Sequence, residues 1–108
     1  MITSAEIARL VAEELEDQAQ WKNRNRIVVS EILVIPRQIE VTEHFDPSGN
    51  AVPWKRTVWL VGEERVEGVP GYRIVFSEED GFGLAGAGFD GISVFGWYGG
   101  LLDVFDAM

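Results

Sequence analysis

Apolar residues recur along this chain with two different periods. Over residues 4–18, Ile7, Leu10, Val11 and Leu15 repeat at helical spacing and make one stripe, which predicts an amphipathic helix. Thr3 followed by Glu6 has the spacing of a capping box, with Ser4 as a second candidate cap. Glu13, Glu14, Glu16 and Asp17 fall mostly on the other face, and Trp21 to Asn25 reads as a polar loop. Residues 26–35 are dense in β-branched side chains, which predicts an internal strand covered on both faces, interrupted or bent at Pro36. From residue 38 the period becomes two. Ile39, Val41 and Phe45 share one face; Gln38, Glu40, Thr42 and His44 share the other.

The turn Asp46-Pro47-Ser48-Gly49-Asn50 leads to a second alternating run, with Trp54, Val58 and Leu60 on one face. An antiparallel hairpin is expected. Setting Phe45 against Trp54 also sets Glu43 against Arg56, Val41 against Val58, Ile39 against Leu60 and Thr42 against Thr57. A slide of two residues would set Val41 against Arg56 and Glu43 against Trp54. The first register pairs apolar with apolar and acid with base, each pair contributing roughly 0.2–1 kcal/mol, so it is the one expected. Residues 62–71 form a charged turn, and Tyr72, Ile74 and Phe76 share one face of a further strand. Gly81 to Gly91 alternates glycine with apolar residues, residues 92–98 can form a strand, and 101–108 a short helix or a last strand. The pattern predicts an α+β fold in one domain over residues 1–108. An N-terminal amphipathic helix packs on an antiparallel meander sheet of four to six strands, covering the Val41 and Val58 face.

Charge narrows the function classes. Eighteen acidic residues face nine basic ones, for a net charge of −9. That sign repels phosphate backbones and anionic lipid, so neither direct nucleic-acid binding nor membrane association is expected. No basic and apolar leader opens the chain, and there is no cysteine, which together point to a cytoplasmic protein. After Arg73 there is no Lys or Arg, while Glu78, Glu79, Asp80, Asp90, Asp103 and Asp106 follow. Such a surface suits a basic partner.

Catalytic chemistry finds little support. Gly81-Phe-Gly-Leu-Ala-Gly86 matches the letters of a dinucleotide fingerprint, but a helix would have to open in a run broken by five further glycines. A glycine-rich strand where another backbone approaches closely fits better. Residues 85–90 have the shape of one calcium β-roll repeat, a device that needs many stacked copies. Glu78-Glu79-Asp80-Gly81 lacks the alternating acids of an EF-hand loop and reads as a solvated turn. His44 is the only histidine, so the usual zinc sets are excluded. No metal or other cofactor is expected, and catalysis is disfavoured, with carboxylate-pair chemistry left open.

Three readings follow. The first is a non-catalytic interaction module engaging a basic protein surface through Glu63, Glu64, Glu67, Glu78, Glu79, Asp80 and Asp90, with Trp97 or Tyr98 as aromatic anchor. Small acidic α+β proteins occur among immunity proteins, inhibitors and secretion chaperones, an analogy of class with no motif behind it. The second is a small-ligand or enzymatic cleft lined by His44, Asp46 and Trp59. The third is a homodimer through residues 82–105, where the Phe95-Gly-Trp-Tyr-Gly-Gly-Leu-Leu run holds more apolar surface than a terminal segment usually needs.

Overall fold

Thr3 starts the first helix as its spacing predicts. Its hydroxyl accepts from the backbone N–H of Glu6 at 3.2 Å and donates to Glu6 Oε1 at 3.1 Å. The chain then enters α1, Ser4–Leu15, which buries Ile7, Val11 and Leu15. The computed structural model describes residues 1–108 except Ala19, Phe89 and Asp90, with all side chains but those of Val66, Val69 and Pro70.

The expected strand over 26–35 is not formed at its start. Val29–Ile32 makes a single helical turn, α2, and β1 runs Leu33–Glu43 straight through Pro36. The backbone groups of 26–29 are taken by the preceding loop. Asn23 N–H donates to Ile27 O at 3.1 Å, Val29 N–H to Trp21 O at 3.0 Å, and Asn23 Oδ1 accepts from Asn25 and Ile27. With those bonds made, Val29 and Ile32 bury their side chains from a helical turn. Pro36 offers no N–H, and the β1 ladder is irregular between Leu33 and Arg37.

Four more strands follow as a meander: β2 Trp54–Val66, β3 Val69–Ser77, β4 Gly81–Gly88 and β5 Gly91–Gly99. Each pairs antiparallel with the next, and β5 meets β1 in parallel at Thr42 and Ser93, closing a barrel. A last helix, α3, spans Leu101–Ala107. The architecture is the expected helix on an antiparallel meander, with a short C-terminal helix. Among the described residues no helix is long and apolar enough to cross a membrane.

The β1–β2 register is the one set aside on pair scores. Val41 lies opposite Arg56 and Glu43 opposite Trp54. Glu43 still reaches Arg56, now diagonally, so the slide keeps the ion pair. Asp46 settles the loop: its Oδ1 accepts from Ser48 and Asn50 N–H, and its own N–H donates to Asn50 O. Phe45 therefore leaves the ladder and stands 62 % exposed, and Trp54 is half-buried.

Both sheet faces are dry, which alternation alone does not reveal. Val41, Val58, Val75, Ala85 and Val94, one from each strand, form a cluster that no helix covers and that fills the barrel interior. The helices lie over the other face. Val61, Ile74, Phe76, Phe82 and Leu84 pack with Ile7 and Val11 of α1, Ile32 of α2, and Leu101, Val104 and Phe105 of α3. The expectation that α1 covers the Val41 and Val58 face is corrected here. Leu60 pairs with Val75 and Trp59 with Phe76, so Ile74 and Phe76 share Trp59's face and attract the helices. Each fully buried Leu, Ile or Phe contributes about 1.5–3 kcal/mol. The 21–25 loop then clasps α3: Asn23 Nδ2 donates to Phe105 O at 3.1 Å and Asn25 Nδ2 to Met108 O at 2.6 Å.

Candidate functional site

Strand alternation places Trp54, Arg56 and Val58 on one face of β2, so Arg56 points toward the barrel interior at its 43–54 end. A guanidinium there needs acceptors. Arg56 Nη1 lies 2.9 Å from Glu43 Oε2 and 2.9 Å from Asp80 Oδ2. Its Cζ sits 5.5 Å from the Trp54 ring centroid and 5.1 Å from that of Trp97. Trp97 Nε1 donates to Glu43 Oε2 at 2.9 Å, tying β5 to β1, and Ser77 Oγ donates to Asp80 Oδ2 at 3.2 Å. Burial alone would lower the Arg56 pKa. The hydrogen bonds to Asp80 and Glu43, and their charges, outweigh burial and raise it. Arg56 is a fixed cation held by two acids and two indoles.

The β4–β5 ladder explains the aromatic display. Ala85 pairs with Val94 and Leu84 with Gly96, so Phe95 is an extra residue on β5. Gly83 pairs with Trp97 and Phe82 with Gly99, so Tyr98 is a second. Both extra residues are aromatic and both are exposed, while Trp97 between them turns inward. Bulges re-aim side chains in this way. The glycines of β4 make room for the rings: a Cβ on Gly83 would stand 2.6 Å from Trp97 Cε3, and one on Gly86 2.8 Å from Phe95 Cε2. The apparent dinucleotide motif is therefore a strand on which aromatic rings of β5 lie.

Two clefts open beside this cluster and share Glu43, Phe45 and Trp97 as walls. One, of about 400 Å³, lies between the ends of β1 and β5 and is lined by residues 43–45 and 94–97. The other, of about 310 Å³, is lined by Asp46, Trp54, Arg56, Glu79 and Asp80 besides the shared walls. Together they form an aromatic-walled surface with an excess of carboxylates.

Not every predicted site residue meets there. Glu79, Asp80 and Trp97 do. Glu78 lies at the edge of the Trp59 cavity, where Oε1 accepts from Ile2 N–H at 3.1 Å. Glu63 is committed within the chain to Arg65 at 2.6 Å and Arg73 at 3.3 Å. Glu64 Oε1 approaches Tyr72 N–H at 3.5 Å and Glu67 sits exposed on the β2–β3 turn, both away from the clefts. Tyr98 is outside the clefts' linings, and Asp90 lies outside the described residues. His44 and Asp46 flank Phe45, but Asp46 is spent on its own loop, and Trp59 packs on the helix side of the sheet. The alternative pocket of His44, Asp46 and Trp59 is thus not assembled. Of the expected dimer segment, Phe82, Leu84, Leu101, Val104 and Phe105 are buried within the chain, leaving Phe95 and Tyr98 outside. Among the described residues no group of three metal-ligating side chains comes together.

Phe45, Glu43, Trp54, Arg56 and Phe95 belong to the site and were not singled out for it. Arg56 carried a signal: a charge at an apolar-stripe position, two residues from Trp54 and two from Val58, implies a buried partner. No family model matches the chain, and no curated protein or solved structure matches it.

Proposed function

We propose that this chain is a non-catalytic interaction module that engages a basic segment of a partner protein, in the manner of an inhibitor or immunity-type protein. The binding surface is the aromatic-walled pair of clefts around Phe45 and Trp97. The observation that carries this reading is the charge state of the second cleft. Four carboxylates line it against one guanidinium, and that guanidinium is already held by Glu43 and Asp80. Glu79 is left to act on an incoming cation, and the charge of Asp46, though held in its loop, adds to the field there. The exposed Phe45 ring offers a face for a guanidinium or an aliphatic stem, beside the indole edges of Trp54 and Trp97. A net charge of −9 speeds encounter with a basic surface and repels nucleic acid. A second copy would bring the same acid excess to the cleft, which disfavours self-association there.

The test is a fluorescence titration of Trp54 and Trp97 with an arginine-rich peptide. Binding should weaken by about tenfold or more between roughly 0.05 M and 0.5 M salt, as partly exposed charges require. Glu79→Gln and Phe45→Ala should each weaken it further, with folding unchanged by circular dichroism. Binding insensitive to salt and to both substitutions would remove this reading.

A further inference from the structure

The seam of the barrel is closed at one position. Among the described residues, β1 and β5 pair only at Thr42 and Ser93. Beyond that point both strands continue, β1 to Glu43 and β5 to Gly99, and the 400 Å³ cleft lies between their ends. β1 gives its other edge to β2, and β5 gives its other edge to β4. What remains beyond Ser93 is the edge of β5 along 94–97, facing a cleft whose other wall is Glu43 and the bend at His44 and Phe45. The contact across it is a side-chain bond, Trp97 to Glu43, which forms the floor. Unpaired strand edges are templates for a further strand.

We infer that the partner's basic segment enters this seam as an added β-strand. The inference rests on the reading above and specifies its mode. Main-chain hydrogen bonds to the β5 edge supply affinity, and alternate side chains supply specificity. One face of such a strand meets Phe95 at the rim, and so takes apolar residues. The other lies over Phe45 and Trp97 and reaches toward Glu79, and so takes Lys or Arg. The Phe95 bulge fits this role. It aims the Phe95 ring to the rim beside the seam. The occupant is therefore an extended segment alternating basic with apolar residues. The acid excess of a second copy of this chain disfavours it as occupant, and a helix would leave the β5 edge unpaired.

The experiment uses the full chain and an octapeptide of alternating Lys and Val. Two further peptides carry N-methyl groups on all Lys or on all Val backbone nitrogens, with side chains unchanged. A fourth replaces Lys by Glu. The Lys-Val peptide should bind and slow amide exchange at 43–45 and 94–97, with little change elsewhere. Losing two or more main-chain bonds should weaken at least one methylated peptide by about tenfold. The Glu-Val peptide should not bind. If both methylated peptides bind as tightly as the parent, or the parent binds without slowing exchange at the seam, strand addition is wrong and the acidic cleft stands. If neither these peptides nor the arginine-rich peptide binds, both readings fall together.

Discussion

Two arginines point into the barrel from neighbouring strands, one at each end of the valine cluster, and they are held in different ways. Arg56 on β2 has two carboxylate partners and two indole faces, and its surroundings open onto a cleft. Arg73 on β3 lies across from Ala85, toward the opposite end. There the stoichiometry is reversed: Glu63 serves both Arg73 and Arg65, and Arg73 Nη1 is buried with no hydrogen-bond partner among the described residues. A small lumen tolerates a charge at either end, but only one end supplies a full ring of partners. At the incompletely satisfied end two arginines share the Glu63 carboxylate. The satisfied end has carboxylate in excess and aromatic walls, which are properties a cation-binding surface needs. The contrast separates a cluster that plugs the barrel from one that also shapes a site.

The sharpest way to break this comparison is to remove each arginine in turn. Arg56→Met leaves Glu43, 13 % exposed, with only the Trp97 N–H as partner. Stranding a largely buried carboxylate should destabilise the fold by about 3 kcal/mol, the low end of the range for a broken buried pair, because some water still reaches it. Adding Glu43→Gln to that variant should recover most of the loss. Arg73→Met is expected to be milder, about 1 kcal/mol. Glu63 keeps Arg65 at 2.6 Å, and the orphaned Nη1 leaves with the side chain. Urea denaturation of the three variants at neutral pH measures the order. Equal losses at the two ends would mean that the extra partners of Arg56 contribute nothing to stability.

Local features were legible and distant ones were not. The Thr3 cap and the Ile7, Val11 and Leu15 stripe depend on residues within a few positions of each other, and both are present. Strand alternation placed Val41 and Val58 on one face correctly, because any slide by two keeps the faces. The same property hid the register. Scoring only directly opposed pairs favoured Glu43 against Arg56, whereas Glu43 reaches Arg56 diagonally and Asp80 joins from a turn on the far side of β3. Val29 and Ile32 are strand-forming residues, yet the Trp21–Asn23 loop holds the backbone at Ile27 and Val29. The second dry face followed from barrel closure, a property of the whole sheet. Of the site, Glu79, Asp80 and Trp97 were visible as charge and aromatic surplus. Phe45 and Phe95 were not, since their exposure comes from a loop and a bulge that only the paired strands define.

A smaller effect sharpens the same contrast at the level of single methyl groups. Gly83 lies under Trp97, at the Arg56 end, and Gly86 lies under Phe95, nearer the rim. An Ala at either position gains about 0.5–1 kcal/mol from the reduced freedom of the unfolded chain. At Gly83 the new methyl meets Trp97 Cε3 at 2.6 Å and Gly96 O at 2.9 Å. Neither can retreat easily: the indole is pinned by its bond to Glu43 and by Arg56, and the carbonyl is backbone. Overpacking of about 1–3 kcal/mol should therefore win, and because Trp97 walls both clefts, peptide affinity should fall with stability. At Gly86 the methyl meets the edge of Phe95, a ring 52 % exposed and free to swing outward. Stability should change by less than about 0.5 kcal/mol. Thermal melts of Gly83→Ala and Gly86→Ala, with peptide titrations on both, separate the two cases. If Gly86→Ala proves the costlier, Phe95 is the anchored ring and Trp97 the mobile one, and the roles assigned to the two sides of the cleft must be exchanged.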